Sequence, residues 1–205
     1  LNMDLLNDMM QKIIDGQYPN VHSVLIMKDG KLVFEEYFYE YNRDKLHELR
    51  SATKSFVSAL TGIAIDKKYI KSKDVHILDY FPEYKITNDL AAKQKITIEN
   101  LLTNQSGLDC DVSNERSAGN EIDMGKTDDW VKYTLELPMI DSAGVKGMYC
   151  SGNPITMGRI IEKATGQPLK HFAVQYLFKP LGISNLVWNF VPTKASSETF
   201  CQLYL

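Results

Sequence analysis

Residues 51–66 place the strongest constraint on the fold, because they predict a helix that carries only one charged side chain. Two faces recur at helical spacing. The first is apolar and the second is made of small residues: Phe56, Leu60, Ile63 and Ala64, then Ser51, Ser55, Ser58 and Gly62. Lys54 is the only ionisable residue between Arg50 and Asp66. A helix of this composition is typical of a protein interior, so we expect Lys54 to be buried.

Ser51 and Lys54 are three residues apart, which places them on the same face of a helix, one turn apart. A serine hydroxyl is a weak nucleophile and needs a base. Burial disfavours the charged form of a lysine, so an enclosed lysine can accept a proton. The start of a helix also favours developing negative charge. The pair therefore predicts a serine nucleophile with a lysine base. The alternative is a lysine whose ammonium reaches solvent from a core helix.

The rest of the chain predicts a mixed α/β protein. A helix is expected over residues 3–14, followed by strands over 21–28 and 31–39 that join at Asp29-Gly30, a strong hairpin signal. Four further helices are expected: 97–102 capped by Thr97, 128–137 capped by Asp128, 153–165 capped by Asn153, and 169–177. Residues 109–127, here named the acidic segment, are polar and are expected to form a long surface loop.

Composition excludes several classes of function. Hydrophobic residues make up 44% of the 205 residues and charged residues 24%, which is ordinary for a globular protein. The net charge of −3 argues against a nucleic-acid partner. No apolar run approaches the roughly 20 residues that span a bilayer, so no transmembrane segment is expected.

Cysteine and histidine usage argues against a disulfide scaffold and against a metal site. The three cysteines, Cys110, Cys150 and Cys201, are few and far apart, and none forms a Cys-x-x-Cys pair. The four histidines show no metal-ligand spacing. We therefore expect no metal, and we expect Cys150 to be a bystander in the motif around it.

Several segments resemble the serine beta-lactamase-related hydrolases, a family of class C beta-lactamases, penicillin-binding DD-peptidases, esterases and 6-aminohexanoate-oligomer hydrolases. Arg50-Ser51-Ala52-Thr53-Lys54-Ser55-Phe56 resembles the nucleophile motif of that family. Residues 96–108 resemble its "LLTHTSGL" segment, with Asn104 in place of the usual histidine. Residues 147–153, here named the tyrosine motif, resemble its Tyr-x-Asn or Tyr-x-Ser region. Residues 24–34, 160–166 and 178–183 also match, so the resemblance covers roughly residues 18–188.

The resemblance implies a beta-lactamase/transpeptidase-like α/β (α+β) fold, with an antiparallel sheet flanked by helices beside a helical region. It implies one domain over 1–205, made of residues 1–66, a helical region over 67–188 and a divergent tail over 189–205. The family's third motif, Lys-Thr-Gly or His-x-Gly, is not found in these 205 residues, and Val191 to Leu205 contain no glycine. The sheet is therefore expected to be incomplete, consisting of little more than a hairpin.

The resemblance also implies roles for the site residues. Tyr149 would share proton transfer with Lys54, and Ser151 would be the third member of the Tyr-x-Ser triplet. In a second register, Ser151-Gly152-Asn153 matches a Ser-x-Asn triplet, so Ser151 and Asn153 are candidates for substrate binding.

The expected activity is hydrolysis of an ester, amide or beta-lactam carbonyl through an acyl-enzyme on Ser51, without a cofactor. A small-molecule or peptide-like substrate and a periplasmic or secreted location are implied by resemblance alone. The alternatives are a relative that binds ligand without turnover, or an inactive truncated fragment.

Overall fold

The computed structural model describes residues 2–189 and 203–205. They divide into two compact units, Leu1–Leu46 and His47–Leu205. Most of the tail expected over 189–205 lies outside the described residues. No helix within the described ranges is long and apolar enough to cross a membrane.

The first unit is one helix followed by an antiparallel hairpin, as the sequence predicts. Helix α1 spans Met3–Ile14 and is capped by the Asn2 side chain. Strands β1 (Ser23–Lys28) and β2 (Lys31–Tyr37) pair directly, with one register shift between Ile26 and Met27. Asp29 and Gly30 both have positive φ, at 50° and 73°, which is the backbone that a two-residue type I′ turn requires.

The second unit is mainly helical. It contains seven helices in the described residues: α2 (Thr53–Asp66), α3 (Leu90–Lys93), α4 (Ile98–Leu102), α5 (Glu121–Gly125), α6 (Trp130–Glu136), α7 (Gly152–Thr165) and α8 (Leu169–Ala173). A π-helical turn over Val174–Phe178 continues α8. Helix α4 begins with the predicted cap, in which Thr97 and Asn100 satisfy each other's backbone N–H groups.

Helix α7 is the centre of this unit, because it packs against α2, α4, α6 and α8. Ile155, Ile160 and Ile161 on α7 are fully buried, as are Leu60 and Ala64 on α2. At the start of α7, a Cβ on Gly152 would lie 2.5 Å from Thr134 Cγ2 on α6. Glycine therefore lets these two helices approach closely at this position.

A small antiparallel sheet lies next to the residues that lead into α2. Strand β4 (Leu203–Tyr204) pairs with β3 (Val187–Trp188). The backbone N–H of His47 donates to Leu205 O at 2.8 Å, and that of Leu49 donates to Leu203 O at 2.8 Å. The short chain 203–205 thus lies between β3 and the residues that lead into the nucleophile motif. In the described residues the strands form only two-stranded sheets, which agrees with the small sheet expected.

Two predicted helix caps are wrong by one or two residues. Helix α6 is capped by Asp129 rather than Asp128, because the Asp129 side chain accepts from the Lys132 backbone N–H. Helix α7 begins at Gly152, so Asn153 is its second residue and not its cap. Ser151 already has helical backbone angles, φ −72° and ψ −23°, and this lets the helix start earlier.

Candidate active site

Ser51 and Lys54 meet at the start of α2. Ser51 lies in a 3₁₀ turn, Arg50–Ala52, that leads directly into the helix at Thr53. The Lys54 ammonium donates a hydrogen bond to Ser51 Oγ at 3.1 Å. The hydroxyl of Ser51 is exposed, so a carbonyl group can reach it from solvent.

The expected burial of Lys54 is wrong, because the side chain is only half-buried. Helix α2 buries one face, which includes Val57, Leu60 and Ala64. The face of small residues, including Ser58 and Gly62, is exposed. Small side chains have little apolar surface, so leaving them in water costs little free energy.

The ring of Tyr149 lies next to Lys54. The Lys54 ammonium is 5.2 Å from the centroid of that ring, within the range of a cation–π interaction. The side chain of Tyr149 is 45% exposed. Ser51, Lys54 and Tyr149 are thus brought together, although Tyr149 is 95 or more residues away along the chain.

Asn104 joins the "LLTHTSGL"-like segment to the tyrosine motif. Its backbone is left-handed, with φ 57°, a conformation that asparagine tolerates well. Its carbonyl oxygen accepts from the Met148 N–H at 2.8 Å, and its Oδ1 accepts from Asn153 Nδ2 at 3.1 Å. Asn104 and Lys54 also line a small cleft of about 60 Å³. Asn153 is fully buried and contacts Asn104, and no hydrogen bond in the described residues joins it to Ser51.

Ser151 is directed toward the acidic segment. Its side chain is 1% exposed, and its hydroxyl donates to the carboxylate of Glu121 at the start of α5. No hydrogen bond between Ser151 and Ser51 or Lys54 is found in the described ranges. The triplet therefore places Tyr149 beside Lys54, whereas Ser151 contacts a different element.

Three contacts fasten the acidic segment to three consecutive residues of the tyrosine motif. The Val112 N–H donates to the Tyr149 carbonyl at 3.1 Å. Cys110 and Cys150 form a disulfide, with their Cα atoms 5.1 Å apart. The third contact is the hydrogen bond between Ser151 and Glu121. The acidic segment is therefore attached directly to the tyrosine motif.

The disulfide corrects the expectation that Cys150 is a bystander. The two cysteines are 40 residues apart in sequence, which gave no local signal of pairing. Their proximity comes from the packing of the acidic segment against the tyrosine motif.

Inside the acidic segment, side chains fix the loop and one short helix. Ser117 Oγ donates to Asp109 Oδ1 at 2.8 Å. Asn120 caps α5 by accepting from the Asp123 N–H. Lys126 donates to Asp123 at 2.7 Å, and this hydrogen bond is the main reason that the pKa of Asp123 lies below its usual range. The expected loop thus contains one helical turn.

A wider cleft lies away from these residues. It has a volume of about 540 Å³ and is lined by residues that include His76, Phe81 and Ile86. None of its lining residues belongs to the nucleophile or tyrosine motifs. Throughout the ranges 2–189 and 203–205, no group of His, Cys, Asp or Glu is arranged to hold a metal ion.

Comparison with known proteins identifies the family. The model of the family described as Beta-lactamase matches residues 6–199, nearly the whole chain. The chain belongs to the beta-lactamase family. Among curated members, a protein of Escherichia coli K12 named "Putative D-alanyl-D-alanine carboxypeptidase" is 28% identical over 215 residues, covering 92% of this chain and 48% of its own length. The chain thus spans about half the length of this relative.

Solved structures show the same fold. The penicillin-binding protein homologue from Pyrococcus abyssi matches with a TM-score of 0.74 at 15% identity, covering 100% of this chain and 53% of its own. A class C beta-lactamase matches with a TM-score of 0.71 at 17% identity, covering 98% and 61%. These likenesses confirm the beta-lactamase/transpeptidase-like fold predicted from the motifs.

Sequence reasoning missed two residues at the site of this beta-lactamase-family chain. In the sequence, Glu121 is one of several acids of a polar segment, and nothing around Cys110 indicates its partner. The polar stretch of 109–127 gives a partial signal of a helix start at Glu121, because the preceding residue, Asn120, is a helix cap. Nothing in the sequence around Glu121 indicates its contact with Ser151, which is 30 residues further along.

Proposed function

We propose that this protein is a serine hydrolase that acts through an acyl-enzyme on an ester, amide or beta-lactam carbonyl. Ser51 is the nucleophile, and Lys54 and Tyr149 transfer protons. The observation that carries the proposal is the hydrogen bond of 3.1 Å between Lys54 Nζ and Ser51 Oγ. The names of the relatives, which include carboxypeptidases and beta-lactamases, support the same chemical class.

The reaction proceeds in two balanced steps. Ser51 Oγ attacks the carbonyl carbon and loses its proton to the Lys54–Tyr149 pair, which passes a proton to the leaving group as its bond to the carbonyl breaks. Water then attacks the acyl-enzyme, gives a proton to the same pair, and releases the acid while Ser51 recovers its proton. The backbone N–H of Ser51 is proposed as one donor to the oxyanion.

Tyr149 is suited to this role by its position beside a cation. The Lys54 ammonium lies 5.2 Å from the centroid of the Tyr149 ring, so the two side chains are close enough to act together. Exposure of the tyrosine leaves its hydroxyl open to the leaving group.

Covalent labelling tests the assignment. A fluorophosphonate or penicillin probe should modify Ser51, as read by peptide mapping with mass spectrometry, and Ser51→Ala should abolish labelling. Ser58→Ala is the matched control, because Ser58 is an exposed serine on the same helix and lines the cleft beside Lys54. Labelling at another residue, or equal labelling of Ser51→Ala, would contradict the proposal.

The second candidate is a relative that is acylated but does not turn over. It is favoured by the contact of Ser151 with Glu121, because the hydroxyl of the third member of the triplet is engaged by a carboxylate and not by Ser51 or Lys54. Stoichiometric labelling of Ser51 with no release of product would support this candidate. Multiple turnovers on a generic ester such as p-nitrophenyl butyrate would exclude it.

A further inference from the structure

Glu121 is a charged group at the edge of the site that the proposed mechanism does not use. Glu121 is an exposed residue, and its carboxylate accepts a hydrogen bond from the hydroxyl of the buried Ser151. In the part of the chain that the structure describes, no lysine or arginine forms an ion pair with it. The nearby Lys126 is engaged by Asp123 instead. Among the described residues, the negative charge of Glu121 is therefore not neutralised by an ion pair.

This carboxylate is joined through Ser151 to the motif that contains Tyr149. Ser151 is two residues after Tyr149, so their Cα atoms are at most roughly 7 Å apart. The disulfide at Cys150 and the hydrogen bond from Val112 to Tyr149 fix the same stretch of chain from the same side. Glu121 thus lies in a segment that is linked to the tyrosine motif by a disulfide and two hydrogen bonds.

We propose that Glu121 is a specificity-determining residue that favours substrates with a cationic group, such as an ammonium, near the scissile carbonyl. The inference rests on the proposed function, because it concerns the substrate of the same site. A substrate whose positive charge lies about 10 Å from the carboxylate should be preferred over a neutral one. The preference is about 2-fold if the intervening medium behaves like water and about 15-fold if it behaves like a protein surface. Salt weakens this preference, because the Debye length is about 8 Å at physiological ionic strength.

A matched pair of substrates isolates the charge. The p-nitrophenyl esters of 4-(trimethylammonio)butanoic acid and 5,5-dimethylhexanoic acid have nearly the same shape, and only the first is charged. The measured quantity is the ratio of their kcat/KM values in the full-length protein at low ionic strength. Intrinsic differences in ester reactivity cancel when this ratio is compared between variants.

Glu121→Gln is the informative variant, because the amide oxygen still accepts from Ser151 while the charge is removed. We expect the ratio of cationic to neutral ester to fall about 2-fold to 15-fold, and to fall further, in favour of the neutral ester, in Glu121→Lys. Glu115→Gln is the matched control: Glu115 is an exposed acid of the same acidic segment, and the variant removes the same charge. High salt should reduce the ratio in the wild type and leave it nearly constant in Glu121→Gln.

Two results overturn the inference while the proposed function stands. One is hydrolysis of both esters through Ser51 with a ratio that does not change in Glu121→Gln. The other is an equal fall of the ratio in Glu115→Gln, which would make it an effect of net charge. If Ser51→Ala hydrolyses both esters as fast as the wild type, the proposed function and the inference are both overturned.

Discussion

Lys54 makes its hydrogen bond to Ser51 as a donor, and to serve as the base it must first lose a proton. An arginine cannot do this, because its guanidinium stays protonated in proteins. We therefore expect Lys54→Arg to lower the rate of acylation by several orders of magnitude, since nucleophile and base act as a unit. The measurement is the second-order rate of labelling by a fluorophosphonate probe, with circular dichroism to confirm that the variant is folded.

Lys67→Arg is the control for this substitution. Lys67 caps the other end of α2 and its side chain is exposed, so the same chemical change there should leave labelling intact. A folded Lys54→Arg protein that is labelled at a near-normal rate would remove Lys54 from the mechanism. The variant separates a base from a lysine that only reaches solvent. In the second case arginine should be tolerated, because a longer cation could reach solvent from the same half-buried position.

Single residues of the site differ in how far the sequence could predict them. Ser51 and Lys54 were predictable because residues three apart on a helix meet through local geometry alone. The contact of Ser151 with Glu121 spans 30 residues and depends on how a loop packs, which no local pattern encodes. The side chain of Ser151 was assigned to the site by resemblance, and the structure directs it to the acidic segment.

Between elements, the close approach of α6 and α7 depends on Gly152. A Cβ there would lie 2.5 Å from Thr134 Cγ2 and 3.0 Å from Thr134 Cβ, so Gly152→Ala must push the two helices apart. We expect a loss of about 1–3 kcal/mol in the free energy of unfolding, the usual cost of overpacking a core. Urea denaturation followed by circular dichroism measures the loss.

Gly62→Ala is the opposite case in the same unit. Gly62 is exposed in the interior of α2, and a Cβ there would meet no atom within 4 Å. Because alanine is the better helix former, this variant should gain roughly 0.5–1 kcal/mol. If both variants changed stability in the same direction, the packing argument for Gly152 would be wrong.

Helix and hairpin positions were largely predictable, whereas their exact ends were not. The turn at Asp29-Gly30 and the cap at Thr97 depend on one or two residues and their own backbone, so the sequence identifies them directly. The start of α7 depends on Ser151 adopting helical angles while it is held by Glu121. A sequence pattern that favours Asn153 as the cap cannot include that tertiary contact.

For the molecule as a whole, the disulfide between Cys110 and Cys150 is a stabilising crosslink. It closes a segment of 40 residues, for which the chain-entropy model gives about 4 kcal/mol, and measured values are typically 2–4 kcal/mol. Reduction should therefore lower Tm by about 4–16 °C in a chain of this size. Thermal unfolding with and without a phosphine reductant measures the shift.

Two variants complete this experiment. Cys201→Ser retains the Cys110–Cys150 pair, so reduction should lower its Tm by the same amount. Joint replacement of Cys110 and Cys150 by serine should give the low Tm with no further response to reductant. An unchanged Tm on reduction of the wild type would argue that the pair contributes nothing to stability.

The pH dependence of unfolding should show the contribution of Lys93. Its side chain is 1% exposed, and burial lowers the pKa of its ammonium below the ordinary value of 10.5. The relevant pH window lies between the lowered pKa of Lys93 in the folded protein and its ordinary pKa in the unfolded chain. In this window the unfolded chain binds more protons than the folded protein, so Lys93 makes the free energy of unfolding rise with pH. The free energy of unfolding of Lys93→Met, relative to that of the wild type, should therefore be highest at pH values below this window. The difference should shrink as the pH approaches 10.5.

Urea unfolding at a series of pH values measures this difference, and Lys95→Met is the control because Lys95 is exposed. The control should show a difference from the wild type that does not vary with pH. A difference for Lys93→Met that is flat, or that grows with pH, would contradict a lowered pKa. The sequence could not indicate this residue, because a lysine at the end of a short helix is ordinarily solvated.

The position of the disulfide also determines what a protease would produce. Arg116 is exposed in the acidic segment, between Cys110 and Cys150, so trypsin can cut the chain there. Ser51 and Lys54 would then belong to one polypeptide and Tyr149 to another, while the sulfur–sulfur bond keeps both in one covalent molecule. The nicked protein would migrate as a single species on a gel without reductant and separate into two when reductant is added. Such a cut would make the protein a two-chain molecule in which the proposed nucleophile and the proposed tyrosine partner come from different chains.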